Sequence, residues 1–155
     1  MASLLQRSEI IRRLKEKGLK VTPQRYAIYA NLLSRADHPT ADQLLTDLNK
    51  DIPVSSQATV YSSLQVLQEV GLVREVLLDG GVARYDGNVK PHHHFQCRNC
   101  AAIADIPWEQ FQGLDLRGLR SGGKAESYEV TVHGLCSRCA AEAESSPENG
   151  LNRSM

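Results

Sequence analysis

The sequence lacks a long apolar run, an apolar N-terminal segment and a net charge. No stretch approaches the roughly 18 apolar residues that a membrane-spanning helix needs, and Arg7 and Glu9 stand where a secretion signal would be apolar. We therefore expect a cytoplasmic protein with no membrane partner. Lys and Arg together number 18, as do Asp and Glu, so the total charge does not indicate a nucleic-acid partner.

The distribution of hydrophobic and charged residues is more informative than the totals. Hydrophobic residues make up 41% of the 155 residues, which is enough for the core of one large domain or two small ones. Between Met1 and Arg25 there are seven basic residues against two acidic ones. Because a local basic surface attracts phosphate groups, this segment is compatible with contact to DNA.

The first 71 residues predict four helices. The first, over residues 4–17, has apolar residues near helical spacing, and Gly18 ends it. The other three have side chains that cap helix N-termini, and Pro23 suits the first position of the second helix. The caps are Thr22, Thr40 with its capping-box partner Gln43, and Ser56. The fourth helix has an apolar stripe formed by Val60, Leu64 and Leu67, and it ends at Gly71.

A change of periodicity after the fourth helix predicts a β-hairpin. The runs "LVREVLL" and "VARY" flank the turn "DGG", and a hairpin that follows a helix-turn-helix is a wing. The connection between helices three and four is short and contains Pro53, as expected for a helix-turn-helix. In that motif the second of the two helices, here the fourth helix of the chain, enters a major groove of DNA. The alternative is a small helical bundle with a solvated polar face. The predicted DNA-contacting residues are Lys20, Arg25, Gln57, Thr59, Tyr61 and Ser62.

The expected fold class is α+β, in two domains. A winged helix-turn-helix domain over residues 1–86 is followed by a Gly/Asn/Pro hinge, residues 87–91, and by an α/β domain over residues 92–140. Its strands are predicted at 92–97, near 102–106 and at "SYEVTVH", with a helix starting at Trp108. Residues 141–155 lack core-forming side chains, which predicts a disordered tail.

Four cysteines form two matched pairs. Two C-x2-C motifs, Cys97/Cys100 and Cys136/Cys139, are separated by 35 residues, and four thiolates form the closed tetrahedral site that structural zinc prefers. A redox dithiol pair is the alternative. Disulfides are rare in a reducing cytosol.

The segment "PHHHFQCRNC" also carries histidines. Because side chains alternate along a strand, His92 and His94 share one face and Cys97 lies on the other. Two separate metal sites follow if the strand continues to the cysteine. Further ligands for the histidine site could come from Asp105, Asp86 or His38, although each of these residues alone also has a purely structural explanation.

The motifs "GLKVTPQR", "HPTAD", "ATVYSSLQVLQEVGLV", "RYD", "HHHFQCRNC" and "HGLCSRC", in this order, resemble the ferric uptake regulator (Fur) superfamily over about residues 8–140. The resemblance implies a homodimeric, metal-dependent repressor, with a C-terminal dimerisation domain, that binds an inverted-repeat operator in double-stranded DNA. It implies structural zinc at the four cysteines. It also implies a regulatory metal at the hinge, with the ligand positions occupied by His38, Asp86, His92, His94 and Asp105.

Aspartate at both 86 and 105 resembles the peroxide-sensing PerR branch of this superfamily. That branch implies Fe(II) or Mn(II) in the regulatory site and oxidation of His38 or His92 by peroxide. Ala101 departs from the usual glycine after the first cysteine pair, and Ser62-Ser63 departs from the usual asparagines. The alternative regulators are an iron-responsive repressor of iron uptake and a zinc-responsive one.

Two enzyme classes compete with the regulator, and we expect neither. A metal-dependent hydrolase would need an open metal position and a further acid or base, and no such residue is evident in the sequence. It would also leave the winged-helix half without a role. A thiol oxidoreductase would use the C-x2-C pairs.

Overall fold

The computed structural model describes residues 3–51, 53, 55–76, 81–119 and 122–146. The chain divides into two compact units, unit 1 with residues 1–90 and unit 2 with residues 91–155. Helices and small sheets occur in both units, which confirms the α+β class. Over the described ranges, no helix combines the length and apolarity that crossing a membrane requires.

Unit 1 contains four helices and a two-stranded antiparallel hairpin. The elements are α1 (Ser3–Glu16), α2 (Pro23–Leu33), α3 (Ala41–Leu48), α4 (Gln57–Glu69), β1 (Arg74–Val76) and β2 (Arg84–Asp86). The hairpin pairs Arg74 with Asp86 and Val76 with Arg84, as expected for a wing. The end of its predicted first strand, residues 77–78, and the first two residues of its predicted turn, residues 79–80, lie outside the described residues.

The predicted helix caps of unit 1 are confirmed. The Thr22 hydroxyl accepts from the backbone N–H of Arg25, and Ser56 accepts from Thr59 in the same way. Thr40 and Gln43 form both bonds of a capping box. Gly71 has a φ of 75° just after α4, a conformation that side-chain-bearing residues rarely adopt. Local sequence signals therefore fix where three of the four helices begin.

The hydrophobic core of unit 1 forms where α1, α2, α3 and α4 pack together. The stripe predicted on α4 is buried in this core. Its neighbours include Leu14 from α1, Ile28 and Leu32 from α2, and Leu44 from α3. The buried face of α4 leaves its opposite face at the protein surface, where Gln57 and Tyr61 are exposed.

Unit 2 contains a three-stranded sheet in the order β4-β3-β5, and one helix. The elements are β3 (His93–Cys97), β4 (Ile103–Ile106), a 3-10 turn (Trp108–Phe111), β5 (Thr131–Gly134) and α5 (Ser137–Ser145). The central strand β3 is antiparallel to β4 and parallel to β5. Asp105 of β4 and Thr131 of β5 therefore lie opposite His94, and Gly134 of β5 lies opposite Cys97.

Three expectations for unit 2 need correction. The helix predicted at Trp108 is a single 3-10 turn, because the backbone is extended at Gln112 and Gly113 follows with a φ of 79°. The strand predicted over 127–133 begins only at Thr131. Residues 141–145 are helical rather than disordered, since α5 is rich in good helix formers and is anchored by the buried Cys139. The remainder of the predicted tail, residues 147–155, lies outside the described residues.

Truncating a side chain of the buried apolar stripe of α4 should destabilise unit 1. Leu64 is 1% exposed, so Leu64→Ala removes buried hydrocarbon and leaves a cavity that costs about 2–5 kcal/mol. Gln65→Ala, at the exposed neighbouring position, should change the free energy of unfolding by less than about 0.5 kcal/mol. Urea unfolding followed by circular dichroism measures both variants. Equal effects would contradict the assignment of the buried face.

Candidate metal centres

Strand β3 separates two kinds of metal ligand within unit 2. The strand continues to Cys97, so its side chains alternate as predicted. His94 lies on one face, with His92 just before the strand on the same side, and Cys97 lies on the other. The ligand groups on the two faces are accordingly distinct: one contains only cysteines and the other only histidine and aspartate among the unit 2 residues described.

The four cysteines form one compact group. Their four Sγ atoms all lie within 4.8 Å of one another, and Cys100 Sγ is 3.7 Å from Cys136 Sγ. Sulfur atoms bound at about 2.3 Å to one tetrahedral zinc lie about 3.8 Å apart, whereas a disulfide requires about 2 Å. All four thiols are unbridged. The group therefore fits zinc and does not fit a disulfide pair.

Two short backbone motifs position these thiols. The first pair flanks a tight turn in which the Ala101 N–H donates to the Cys97 carbonyl at 3.0 Å, with Ala101 at a φ of 60°. In the second pair, Cys136 is the N-cap of α5 and Cys139 lies in the first turn of that helix. The end of β5 and the start of α5 are thus brought to the knuckle that follows β3.

The thiols differ in how readily they ionise. Backbone N–H groups of Cys100 and Cys136 donate to Cys97 and lower the pKa of Cys97 to about 6. The Asn99 amide, 3.3 Å from Cys139 Sγ, opposes the shift there, but burial and the other thiols raise the pKa of Cys139 to about 11. A divalent cation would offset the repulsion that keeps Cys139 protonated, as ligation of thiolates requires.

His92, His94 and Asp105 form the second ligand group of unit 2. Asp105 lies directly opposite His94 in the β3–β4 register. Asp105 Oδ1 is 3.4 Å from His92 Nε2 and 3.7 Å from His94 Nε2. Both imidazoles are buried while Asp105 is partly exposed. Two nitrogen donors and one carboxylate oxygen make a harder ligand set than the thiolates.

Unit 1 contributes a pair of candidate ligands. His38 Nδ1 is 3.7 Å from Asp86 Oδ1, and both side chains are buried. The backbone of His38 has a φ of 50°, a conformation uncommon for non-glycine residues and often found at functional sites. It is held by Arg84, whose guanidinium donates to the His38 carbonyl at 3.2 Å. Two ligands are too few for a stable metal site by themselves.

The residues predicted to contact DNA lie at the start of α2 and along α4. Lys20 is exposed, and its carbonyl accepts from the half-buried Arg25 guanidinium at 3.0 Å. Tyr61 is 47% exposed and is the largest exposed side chain of α4. The polar side chains of Gln57, Thr59 and Ser62 complete the predicted set on α4, where Thr59 Oγ1 lies 2.9 Å from Ser56 Oγ.

Glu129 and Asn99 touch candidate ligands and were not predicted from the sequence. Glu129 Oε1 is 2.6 Å from His94 Nδ1, and the Asn99 amide contacts Cys139. Asn99 lies inside the first C-x2-C motif, so its proximity to sulfur was predictable. Glu129 is 35 residues away from His94, and no local pattern connects them.

Comparison with known proteins finds a matching family and similar proteins. The model of the ferric uptake regulator family matches residues 16–133. The "Peroxide operon regulator" of Bacillus subtilis (strain 168) is 36% identical over 136 residues, which cover 85% of this chain and 92% of that protein. The "Peroxide-responsive repressor PerR" of Staphylococcus aureus (strain Mu50) is 34% identical, with 84% and 89% covered.

A solved structure shows the same fold. The Helicobacter pylori ferric uptake regulator superposes with a TM-score of 0.66, at 19% sequence identity, covering 86% of this chain and 93% of that chain. At this identity the likeness concerns the fold alone.

Replacing Ala101 by glycine should stabilise the cysteine knuckle. A left-handed conformation costs an L-residue roughly 1–2 kcal/mol, and the greater flexibility of unfolded glycine offsets part of the gain. Ala101→Gly should therefore raise the unfolding free energy of the zinc-loaded protein by about 0.5–1 kcal/mol. Ala102→Gly, at the adjacent exposed position without positive φ, should lower it by a similar amount. Denaturant unfolding measures the stability of both variants, with the zinc content of each sample checked. A loss of stability in Ala101→Gly would contradict the inference that the backbone at Ala101 is strained.

Proposed function

This chain belongs to the ferric uptake regulator family of metal-responsive transcriptional regulators, and we propose that it is a homodimeric repressor that releases DNA when peroxide oxidises a histidine ligand. The observation that carries the proposal is the presence of two chemically different ligand groups on opposite faces of β3. The peroxide-responsive relatives favour this signal over iron. We propose a regulator rather than an enzyme, acting in the cytoplasm where its DNA target would be.

We propose zinc at Cys97, Cys100, Cys136 and Cys139, in a structural role. Four thiolates leave no open coordination position, so this ion would hold the protein together without reacting. The spacing of the sulfur atoms and the lowered pKa of Cys97 support the assignment.

The regulatory ion is proposed to be Fe(II) or Mn(II). Its ligands would be His38 and Asp86 from unit 1 with His92, His94 and Asp105 from unit 2. Five nitrogen and oxygen donors suit these metals, and each unit alone supplies too few. Because one ion would draw ligands from both units, binding would favour the arrangement in which they coordinate it together. That preference is the differential affinity that allosteric control requires.

For DNA, we propose that α4 enters the major groove and that the start of α2 contacts the backbone. Tyr61 is exposed on α4, with Gln57, Thr59 and Ser62 along the same helix. Lys20 and Arg25 would contact phosphates, because cationic side chains near a helix start fix a protein's register on the duplex. Two such domains in a homodimer would read an inverted repeat.

With iron held by these ligands, the O–O bond of peroxide would break and an oxidant would form beside them. Peroxide is the net two-electron oxidant: one of its oxygen atoms would be inserted into a ring C–H bond and the other would leave as water. The chain's part is to hold His38 and His92 where this oxidant forms and away from bulk solvent; they are 2% and 5% exposed. Addition of one oxygen atom to either ring would weaken it as a ligand, so the ion and then the operator would be released. Manganese would support DNA binding with little sensitivity to peroxide.

Peptide mass analysis tests this mechanism directly. Iron-loaded protein treated briefly with peroxide should gain one oxygen atom in the tryptic peptide of residues 36–50, which contains His38, or in that of residues 85–98, which contains His92. Fragmentation should place the second modification on His92 rather than on His93, whose side chain lies on the opposite face of β3. The manganese-loaded protein is the control.

Four outcomes separate the candidate regulators. Histidine oxidation together with loss of DNA binding supports the peroxide sensor. Loss of DNA binding without added oxygen eliminates the histidine mechanism. An iron-loaded protein that keeps both its mass and its DNA after peroxide treatment favours the alternative, an iron-responsive repressor of iron uptake, and DNA binding that depends on a second zinc favours a zinc-responsive one.

The salt dependence of DNA binding tests Lys20. Each phosphate contact contributes about 0.9 to the slope of log affinity against log salt, so Lys20→Ala should flatten the slope by about one unit for each Lys20 that contacts a phosphate. It should weaken binding to all sequences alike. Lys124→Ala removes the same charge from unit 2 and should leave the slope unchanged. Equal slopes for Lys20→Ala and the wild type would refute this contact.

A further inference from the structure

A carboxylate outside the proposed ligand set binds one of the buried histidines. Glu129 Oε1 lies 2.6 Å from Nδ1 of His94, and His94 is fully buried while about a third of the Glu129 side chain is exposed. Asp105 approaches the same ring from its other side, with Oδ1 3.7 Å from Nε2. The two nitrogens of His94 therefore face different carboxylates with different geometries.

The residues on both sides of Glu129 contact β3, Val130 through its backbone and Tyr128 through its ring. The His94 N–H donates to the Val130 carbonyl at 3.1 Å, and the Val130 N–H donates to Nδ1 of His93 at 3.1 Å. The neighbouring Tyr128 stacks on His93, with ring centroids 5.7 Å apart, and its hydroxyl donates to the Phe111 carbonyl at 2.8 Å. Tyr128 therefore contacts His93, and Glu129 contacts His94. The contact between Glu129 and His94 is built into the fold.

The Glu129 contact determines which nitrogen of His94 can bind a metal. An ionised carboxylate only accepts hydrogen bonds, so Nδ1 carries the proton and the lone pair is on Nε2. Nε2 is the nitrogen that lies 3.7 Å from Asp105 Oδ1, the oxygen that is also 3.4 Å from His92 Nε2. A carboxylate behind a ligating histidine fixes the tautomer and the ring orientation and raises the basicity of the donor nitrogen.

We propose that Glu129 is a positioning residue for the regulatory metal: it holds His94 in the Nδ1–H tautomer and thereby increases the affinity of the site for a divalent cation. This role rests on the proposed function, since it assumes that His94 is a ligand. Glu129 does not itself coordinate the ion. It acts through His94, and its contribution should be lost in graded steps as first its charge and then its hydrogen-bond acceptor are removed.

A purely structural ion pair makes a different prediction. If Glu129 only stabilised the packing of the segment before β5, its removal would lower the unfolding temperature and the zinc content while leaving the His94 tautomer unchanged. If it positions His94, removal should change the tautomer and the metal affinity of a protein that keeps its fold and its zinc. The two roles are therefore separable by measurements on the same samples.

The experiment uses the 155-residue chain loaded with zinc, with Mn(II) as the probe. Manganese affinity is measured by electron paramagnetic resonance of the free ion in the wild type, Glu129→Ala and Glu129→Gln. Glu129→Ala should bind Mn(II) about 10–100-fold more weakly. Glu129→Gln retains an oxygen that can accept a hydrogen bond from the His94 Nδ1–H, so it should keep most of the Mn(II) affinity that Glu129→Ala loses. Glu126→Ala, an exposed acid three residues earlier, is the control and should match the wild type.

Nitrogen NMR of the imidazoles supplies the second measurement, made before Mn(II) is added. His94 should be the Nδ1–H tautomer in the wild type and in Glu129→Gln, and a mixture of tautomers in Glu129→Ala. Unchanged Mn(II) affinity in Glu129→Ala, or weakened affinity accompanied by loss of zinc and an unchanged tautomer, would overturn the inference alone. Failure of the wild type to bind Mn(II) at all would overturn the proposed function together with it.

Discussion

The alternation of side chains along β3 is the constraint on which the rest of the structure depends. Five residues of extended chain, starting at His93, separate the cysteine group from the histidine group, because neighbouring side chains point to opposite faces. A helix in the same place would mix the two sets within one turn. The soft thiolates and the harder nitrogen and oxygen donors can then select different metals. One site can serve stability while the other responds to metal supply.

The two units bury different kinds of side chain, and this explains why unit 2 would need a metal. The hydrophobic core cluster consists of residues of unit 1. In the described part of unit 2, the buried side chains are mainly polar or sulfur-containing, with Ile103 as the one large aliphatic residue: the others are His92, His93, His94, Gln96, Cys97 and Cys139. Small sheets with so little buried hydrocarbon gain limited stability from the hydrophobic effect. Binding of zinc to the folded state would supply much of the remainder.

Local signals in the sequence predicted much of unit 1 and the division of the ligands, whereas features set by distant contacts were missed. Caps such as Thr22 and Ser56 act within three residues, so their helices could be predicted from the sequence alone. The late start of β5 and the contact of Glu129 with His94 depend on how a segment more than 30 residues away packs against β3. Ala101 shows a third case: an alanine does not by itself indicate a positive φ, and only the glycine usual at this position in the resembled family pointed to the conformation that the knuckle imposes.

The sulfur group and the histidine group are linked through β5, although they lie on different faces of the sheet. β5 runs parallel to β3 and ends at Gly134, two residues before Cys136. An ion that holds Cys136 beside Cys97 therefore fixes the end of β5, and the pairing of β5 with β3 fixes the segment just before it, including Val130 and Glu129. Parallel strands lack a short connection of their own, so a clamp at one end contributes more to their register than it would in a hairpin. The orientation of His94 thus depends on a site that shares none of its ligands.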